Sequence, residues 1–319
     1  MAIRWQAFIL IFFILISWQL TKIDFSDENG SAPAAGQIPE SGQSVGAGSN
    51  FSYQNASLIS VPFVEIKNPG RQWNILDPAV VSAAVMIESL DDNYPFFYNQ
   101  TYRSWPMASL TKLLASATVL EKIGDDKKIS ISARAVATEG VAGNLKEGEI
   151  YSARDLLKIM LISSSNDAAA AFAEHYGEAA FLEAMREKAA DLKMSQTRIE
   201  DASGLGDGNI STASDISKLL RYLVAKNPDV LNWTRLAEIL VQPVNGINVN
   251  SVRNINPLIA EAGFLGGKTG TSEKAGQNLA AIYSFRDKQL IIVILGSRDR
   301  YGELTDLLGW LEKAYNWNQ

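Results

Sequence analysis

The stretch Met107-Ala108-Ser109-Leu110-Thr111-Lys112-Leu113-Leu114 decides how this chain is read. Apolar residues at 110, 113, 114, 117 and 120 recur at helical spacing, so Pro106 to Ile123 is expected to be a helix closed by Gly124, with one side in the core. Ser109 and Lys112 stand at i and i+3, neighbours on the surface of that helix. Ser109 falls in the first turn, where unpaired backbone N–H groups and the helix dipole favour developing negative charge. Lys112 is the only charged residue between Arg103 and Glu121. A lysine so isolated on an apolar helix is expected to be desolvated, which penalises the ammonium and lowers its pKa. A neutral amine beside a serine hydroxyl can act as its general base. Alone, Ser-x-x-Lys is a weak signal, expected about once by chance in a chain of this length. The plain alternative is a lysine snorkelling beside an ordinary serine.

Composition asks for such a substitute for histidine. The 319 residues contain no cysteine and one histidine, His175. That removes thiolate chemistry and the usual zinc hydrolase sites, and it leaves a Ser-His-Asp triad a single imidazole. His175 itself reads as a helix-end residue interacting with terminal carbonyls. No cofactor and no metal are expected. With 29 basic and 35 acidic residues the net charge is −6, which argues against nucleic acid as a partner. A hydrophobic content of 47% supplies a sizeable core for one large domain or two.

The N-terminus reads as an export segment. A basic start at Arg4 precedes an unbroken apolar run from Ala7 to Ile16, extending to Leu20. No small-x-small cleavage site follows it closely, so residues 1–23 are expected to be an uncleaved membrane anchor; the alternative is a cleaved signal peptide and a secreted protein. As a helix, Ala7–Leu20 spans ~21 Å against ~30 Å of hydrocarbon, so Arg4 and Lys22 would snorkel. Residues 24–57 turn to Gly, Ser, Ala, Pro, Gln and Asn with four acids and no bases, a composition expected to form a flexible tether. The globular part is expected over 58–319.

Within it, Val80–Ile87 and Pro95–Tyr98 read as a hairpin around Asp91-Asp92-Asn93. Phe264–Thr271, Asn278–Phe285 and Gln289–Gly296 read as three further strands, and Glu303–Trp317 as a closing helix. Between them, about 125–250, the pattern is mostly helical: a capping-box start at Ser152 leads a helix to about Ile162, followed by Asp167–Tyr176, Ala179–Leu192 and Ala213–Ala225. Strands at both ends with helices between predict an antiparallel sheet plus an inserted helical subdomain.

Two more fragments carry chemistry. Ser163-Ser164-Ser165-Asn166-Asp167 lies between two helices, and its plain alternative is a serine-rich linker with Asn166 or Asp167 as N-cap. Gly266-Gly267-Lys268-Thr269-Gly270-Thr271 lies on an expected strand, where glycines let another backbone approach, here an extended substrate; a bulge or an edge strand guarded by a lysine is the alternative. It is not a phosphate loop, because Ala262 stands where that motif needs glycine.

Ser109-x-x-Lys112, Ser164-x-Asn166 and Lys268-Thr269-Gly270, in this order and spacing, resemble the penicillin-recognising serine hydrolases. Within them the chain is most similar to the low-molecular-mass penicillin-binding proteins, the serine D-alanyl-D-alanine carboxypeptidases. Asp201-Ala202-Ser203-Gly204-Leu205 and Ser211-Thr212-Ala213-Ser214-Asp215 support the resemblance, which covers about residues 75–315. It implies an α/β (α+β) fold of the β-lactamase/DD-peptidase type: a five-stranded antiparallel sheet flanked by helices, with an all-helical inserted subdomain. It also implies that Ser109 forms an acyl-enzyme and Lys112 takes its proton. Ser164 would relay a proton to the leaving amine, and Asn166 would hold the substrate amide. Lys268 and Thr269 would bind the terminal carboxylate, beside Gly270. The N–H groups of Ser109 and Thr271 would form the oxyanion hole. The implied substrates are peptidoglycan stem peptides ending in D-Ala-D-Ala, with β-lactam antibiotics as covalent inhibitors, at the extracytoplasmic face of a bacterial membrane.

The sequence departs from the family in having Ala202 after Asp201, where proline is usual. The chain also ends without the C-terminal β-rich domain and amphipathic helix of many members, which leaves the role of that domain open. The motifs do not separate exo- from endopeptidase cleavage. A β-lactamase would need a Glu-x-x-x-Asn loop after Asn166, which is absent; a non-catalytic wall-binding or antibiotic-sensing module would need a broken motif, and none is broken. Arg298 and Arg300 are candidates for helping with the carboxylate, against a solvated turn.

Overall fold

The computed structural model describes residues 68–317. The expected anchor and tether, and the start of the globular part at 58, lie outside the described residues. Among the described residues no helix is long and apolar enough to cross a membrane.

Two runs of hydrophobic sequence, far apart in the chain, make one sheet. The first hairpin is β1 (Ala84–Ser89) and β2 (Pro95–Asn99). The second run is the meander β3 (Phe264–Ser272), β4 (Gly276–Phe285) and β5 (Lys288–Ser297). All pairings are antiparallel, in the order β3-β4-β5-β1-β2, so β3 is an edge strand. Central β5 is buried on both faces and therefore reads as a continuous apolar run rather than an alternation. Its side chains still divide by the two-residue period: Leu290, Ile292 and Ile294 join one core cluster, Ile291, Val293 and Leu295 the other. β1 begins at Ala84, later than the apolar run from Val80, because Ser82 leaves the ladder and donates its hydroxyl to Glu303 Oε1 at 2.7 Å.

Helices cover both faces. α1 (Thr111–Lys122), α2 (Ala153–Ile162), α3 (Asn166–Tyr176), α4 (Glu178–Asp191), α5 (Ala213–Lys226) and the short α6 (Pro228–Trp233) contribute to the larger core. On the other face α7 (Arg300–Ala314) buries Leu304, Leu307, Trp310 and Leu311. Hydroxyl caps start the helices where the sequence places them: Ser152 accepts from Asp155 N, and Thr212 from Asp215 N. The cap of α3 is Ser165, not Asn166 or Asp167, so both of those side chains are released for other contacts. α7 sits three residues earlier than its apolar pattern indicated, because Asp299 caps it and Tyr315–Asn316 pair as a strand with Gly70–Arg71.

The inserted subdomain is mostly helical but also carries two small ribbons, Lys128–Ser130 with Ile150–Ser152 and Glu238–Val241 with Asn250–Arg253. The expectation of an all-helical insertion is corrected there. Strands of three or four residues are too short for their period to be read from sequence.

Candidate active site

The expected long helix from Pro106 is broken at its start. Trp105–Pro106 pair with Ile210–Ser211, and a single tight turn, Ala108–Leu110, leads into α1. Ser109 rides on that turn, partly exposed, while Lys112 in the first turn of α1 is fully buried. Ala108, just before the serine, has φ +48°, a left-handed conformation that only strong surrounding contacts can hold in a residue with a Cβ. Those contacts come from three directions. Asn278 of β4 donates from Nδ2 to the carbonyls of Pro106 (2.8 Å) and Met107 (3.1 Å). Met107 N donates to Asn209 O at 2.7 Å, and Thr111 Oγ1 to Ala108 O at 2.8 Å.

Lys112 Nζ stands 3.0 Å from Ser109 Oγ, 2.8 Å from Asn166 Oδ1 and 2.8 Å from Ser203 O. Burial pushes its pKa down to about 7, with Asp201 and Asp167 pulling in the opposite direction. The amide of Asn166 is oriented by its other end, where Nδ2 donates to Glu139 O at 2.8 Å. Ser164 is buried and has φ +61°, a second non-glycine residue in the left-handed region. Among the described residues no side chain or backbone group engages its hydroxyl. Asp167 ties the same loop down by accepting from Gly143 N with both oxygens at 3.0 Å.

The third motif closes the site from the sheet. Edge strand β3 runs against the nucleophile turn: a Cβ on Gly270 would lie 2.8 Å from Met107 O and 3.0 Å from Ser109 N. At Gly266 another backbone does approach, that of Leu231 in α6, whose carbonyl lies 2.6 Å from where a Cβ would stand. The ladder also shifts register between Phe264 and Gly266, the bulge that is the alternative reading of these glycines. Lys268 is buried, and its Nζ donates to Thr269 O at 2.8 Å. Burial holds its pKa well below the usual lysine range, and the charges of Lys112 and Arg300 add to that. Thr269 is buried beside it and Thr271 is exposed.

Arg300 is the residue that sequence reasoning undervalued. It is buried, with Nη1 donating to Gly270 O (2.9 Å) and Asn278 O (2.7 Å) and Nη2 donating to Thr271 Oγ1. Its cation thus lies directly behind the Lys268-Thr269-Gly270-Thr271 strand, whereas Arg298 is exposed. The readable signal was an arginine at the head of a helix that follows a buried strand. His175 sits in the last turn of α3, nine residues beyond Asn166 or about 13 Å by helix rise, so no triad is built on it.

Among the described residues no cluster of ligating side chains could hold a metal ion. The arrangement is a hydroxyl, a low-pKa amine and a buried cationic strand edge. The profile of the D-alanyl-D-alanine carboxypeptidase family of peptidases matches residues 83–299, which takes in all three motifs.

The chain belongs to this family.

Its relatives include the D-alanyl-D-alanine endopeptidase of Escherichia coli, 29% identical over 81% of this chain and 86% of that protein. D-alanyl-D-alanine carboxypeptidase DacC of the same organism is 30% identical over 64% of this chain and 54% of its own length. Among solved structures, D-alanyl-D-alanine carboxypeptidase from Mycobacterium tuberculosis superposes with a TM-score of 0.69 over 76% of this chain and 95% of that one, at 24% identity. The D-alanyl-D-alanine carboxypeptidase family fold is therefore the fold of this protein, with its five-stranded antiparallel sheet and flanking helices.

Proposed function

We propose that this family member cleaves the terminal D-Ala from peptidoglycan stem peptides through an acyl-enzyme on Ser109. The observation that carries the reading is the set of partners around Lys112 Nζ. Two of them, Asn166 Oδ1 and Ser203 O, are carbonyl oxygens that only accept. A neutral amine satisfies both with its two N–H bonds, which leaves its lone pair for the third partner, the hydroxyl of Ser109 at 3.0 Å. With its pKa at about 7, a large share of this amine is unprotonated near neutral pH, so it can accept the hydroxyl proton without first losing one, as an ordinary lysine would have to.

Ser109 Oγ then attacks the carbonyl of the penultimate D-Ala. Charge on the resulting oxyanion is met by the N–H groups of Ser109 and Thr271, which the close packing of the turn on β3 supports. Collapse breaks the C–N bond, and the proton held by Lys112 passes through Ser164 to the leaving nitrogen of the terminal D-Ala. Water then hydrolyses the ester, with Lys112 again as base. Asn166 holds the substrate amide, and Lys268 with Thr269 binds the terminal carboxylate, backed by Arg300. The N-terminal segment would hold the domain at the extracytoplasmic face of the membrane.

A second reading, cleavage of cross-links by the same site, is favoured by one observation: the match takes in 86% of the endopeptidase from Escherichia coli but 54% of DacC. One experiment addresses both. Purified protein is given a diacyl-D-Ala-D-Ala peptide, cross-linked muropeptides and, separately, benzylpenicillin followed by mass spectrometry. The expected result is penicilloyl ester on Ser109 and free D-Ala from the peptide; muropeptide monomers without free D-Ala would replace the first reading with the second. Acylation at another residue, or none, would refute both.

A further inference from the structure

One of the three oxygens around Lys112 Nζ, the carbonyl of Ser203, comes from a loop that the three motifs do not include. Residues 200–209 fold over the nucleophile turn, and the loop is organised by one carboxylate. Asp201 Oδ1 accepts from Ser203 N (2.7 Å), Ser203 Oγ (2.9 Å), Gly204 N (2.6 Å) and Leu205 N (3.3 Å), and Oδ2 accepts from Gly206 N (3.0 Å). Buried Asn209 closes the loop. Its Oδ1 accepts from Glu200 N and Asp201 N, and its Nδ2 donates to Asp201 O and to Thr111 Oγ1 on α1. At the contact there is no spare room: Gly204 has φ +79°, and a Cβ there would lie 1.9 Å from Ala108 O.

We infer that Asp201 is a positioning residue for the reaction: by gathering five donors of its own loop it holds the Ser203 carbonyl on Lys112 Nζ, so that the amine's lone pair is aimed at Ser109. The inference rests on the reading of Lys112 as the base. The stretch Asp201–Leu205 supports the family resemblance in sequence, but the atom that touches Lys112 is a backbone oxygen, and the side chain that holds it is two residues earlier.

Position has an electrical consequence. The charged groups acting on Lys112 are Asp201 from the loop and Asp167 from α3, with Lys268 of β3 coupled to it. Asp201 is the stronger of the two carboxylates that favour the ammonium. Its removal therefore makes the amine easier to deprotonate even while it loosens the carbonyl that orients it. A purely structural residue would do only the second.

The test is the pH profile of acylation of the full chain by benzylpenicillin, from about pH 5 to 9, where the acid limb reports the base of the free enzyme. Asp201→Asn keeps an acceptor oxygen for the loop and loses the charge; its acid limb is expected to move down by about 1 pH unit, with a lowered plateau. Asp201→Glu keeps the charge on a longer arm, so its limb should stay in place while the plateau falls. An Asp201→Asn profile that drops without moving its limb would overturn the inference and leave the Lys112 reading intact. Absence of any limb in the wild type would remove both. Ser203→Ala serves if Asp201→Asn does not fold: it deletes one of the five donors and the oxygen that also accepts from Leu205 N, and the plateau should fall at least about threefold with the limb unmoved. A plateau equal to that of the wild type would count against positioning by the loop.

Discussion

Two lysines are buried in this site within electrostatic reach of each other, and the protein treats them in opposite ways. Lys112, on a helix, is surrounded by three oxygens at 2.8 to 3.0 Å. Lys268, on an edge strand, has one protein acceptor among the described residues, Thr269 O. Desolvation lowers both pKa values, but Lys112 has Asp201 and Asp167 to moderate the effect, whereas Lys268 faces the Arg300 cation and, whenever Lys112 is protonated, that charge as well. An ammonium carries three donors. At Lys112 the neutral form is well solvated by protein and ready to accept a proton. At Lys268 the charged form lacks a counter-charge, which a substrate carboxylate would supply. On the proposed function, Lys112 would take and return a proton during the reaction, while Lys268 would find its counter-charge in the substrate carboxylate.

The sharpest break in this comparison is to exchange the chemistry of Lys112 while keeping its bulk. Lys112→Met removes the base and should slow acylation by about 10³-fold, within the range of general acid–base effects. Lys112→Arg should be as slow, because a guanidinium stays protonated. Acylation kinetics with a chromogenic cephalosporin would check both. A substantially active Arg variant would mean that charge, not basicity, is what the position supplies.

Lys268 should respond to the substrate rather than to the nucleophile. Lys268→Met is expected to raise KM for a peptide ending in a free carboxylate by about 10²-fold, the cost of leaving a desolvated anion without its cation. For the amide-terminated analogue, a poor substrate to begin with, the change should stay within about twofold. Anion binding favours the ammonium and so raises the Lys268 pKa, which means that substrate binding takes up protons above the lowered pKa. Calorimetry in buffers of different ionisation enthalpy would read this uptake directly. Equal losses for both peptides would assign Lys268 to the chemistry instead.

The asymmetry between the lysines was partly legible in sequence. Lys112 could be read because its helix is apolar at 110, 113, 114, 117 and 120 and carries no other charge before Glu121, so burial followed from the period and that isolation. The strands and most helices were readable for the same reason, since each buries a continuous face. What could not be read depends on contacts across the chain. The break of the helix at Ala108 is imposed by Asn278 and Asn209, 170 and 101 residues away in sequence, and no local propensity announces it. The third oxygen on Lys112 is a main-chain carbonyl, which has no residue identity to recognise. Arg300 looked like a turn residue, and only the packing of α7 behind β3 places its guanidinium under Thr271.

Per pH unit the smallest change is one of stability, and it sharpens the comparison. In the unfolded chain Lys112 has the ordinary lysine value of 10.5, and in the folded protein it is held at about 7. Between those two pH values the unfolded state binds the extra proton, so raising the pH favours the folded state. The contribution is absent below the folded pKa and complete above the unfolded one. The unfolding free energy of the wild type should therefore gain on that of Lys112→Met as the pH rises from 7 towards 10.5, by at most about 1.4 kcal/mol per unit. The tyrosines are present in both proteins and cancel in the difference, and making the comparison in a Lys268→Met background removes the lysine that Lys112 acts on from both. Urea unfolding of the pair at several pH values measures it. A difference that does not vary with pH would mean that the amine stays protonated in the folded protein, and the contrast between the two lysines would then have to rest on geometry alone.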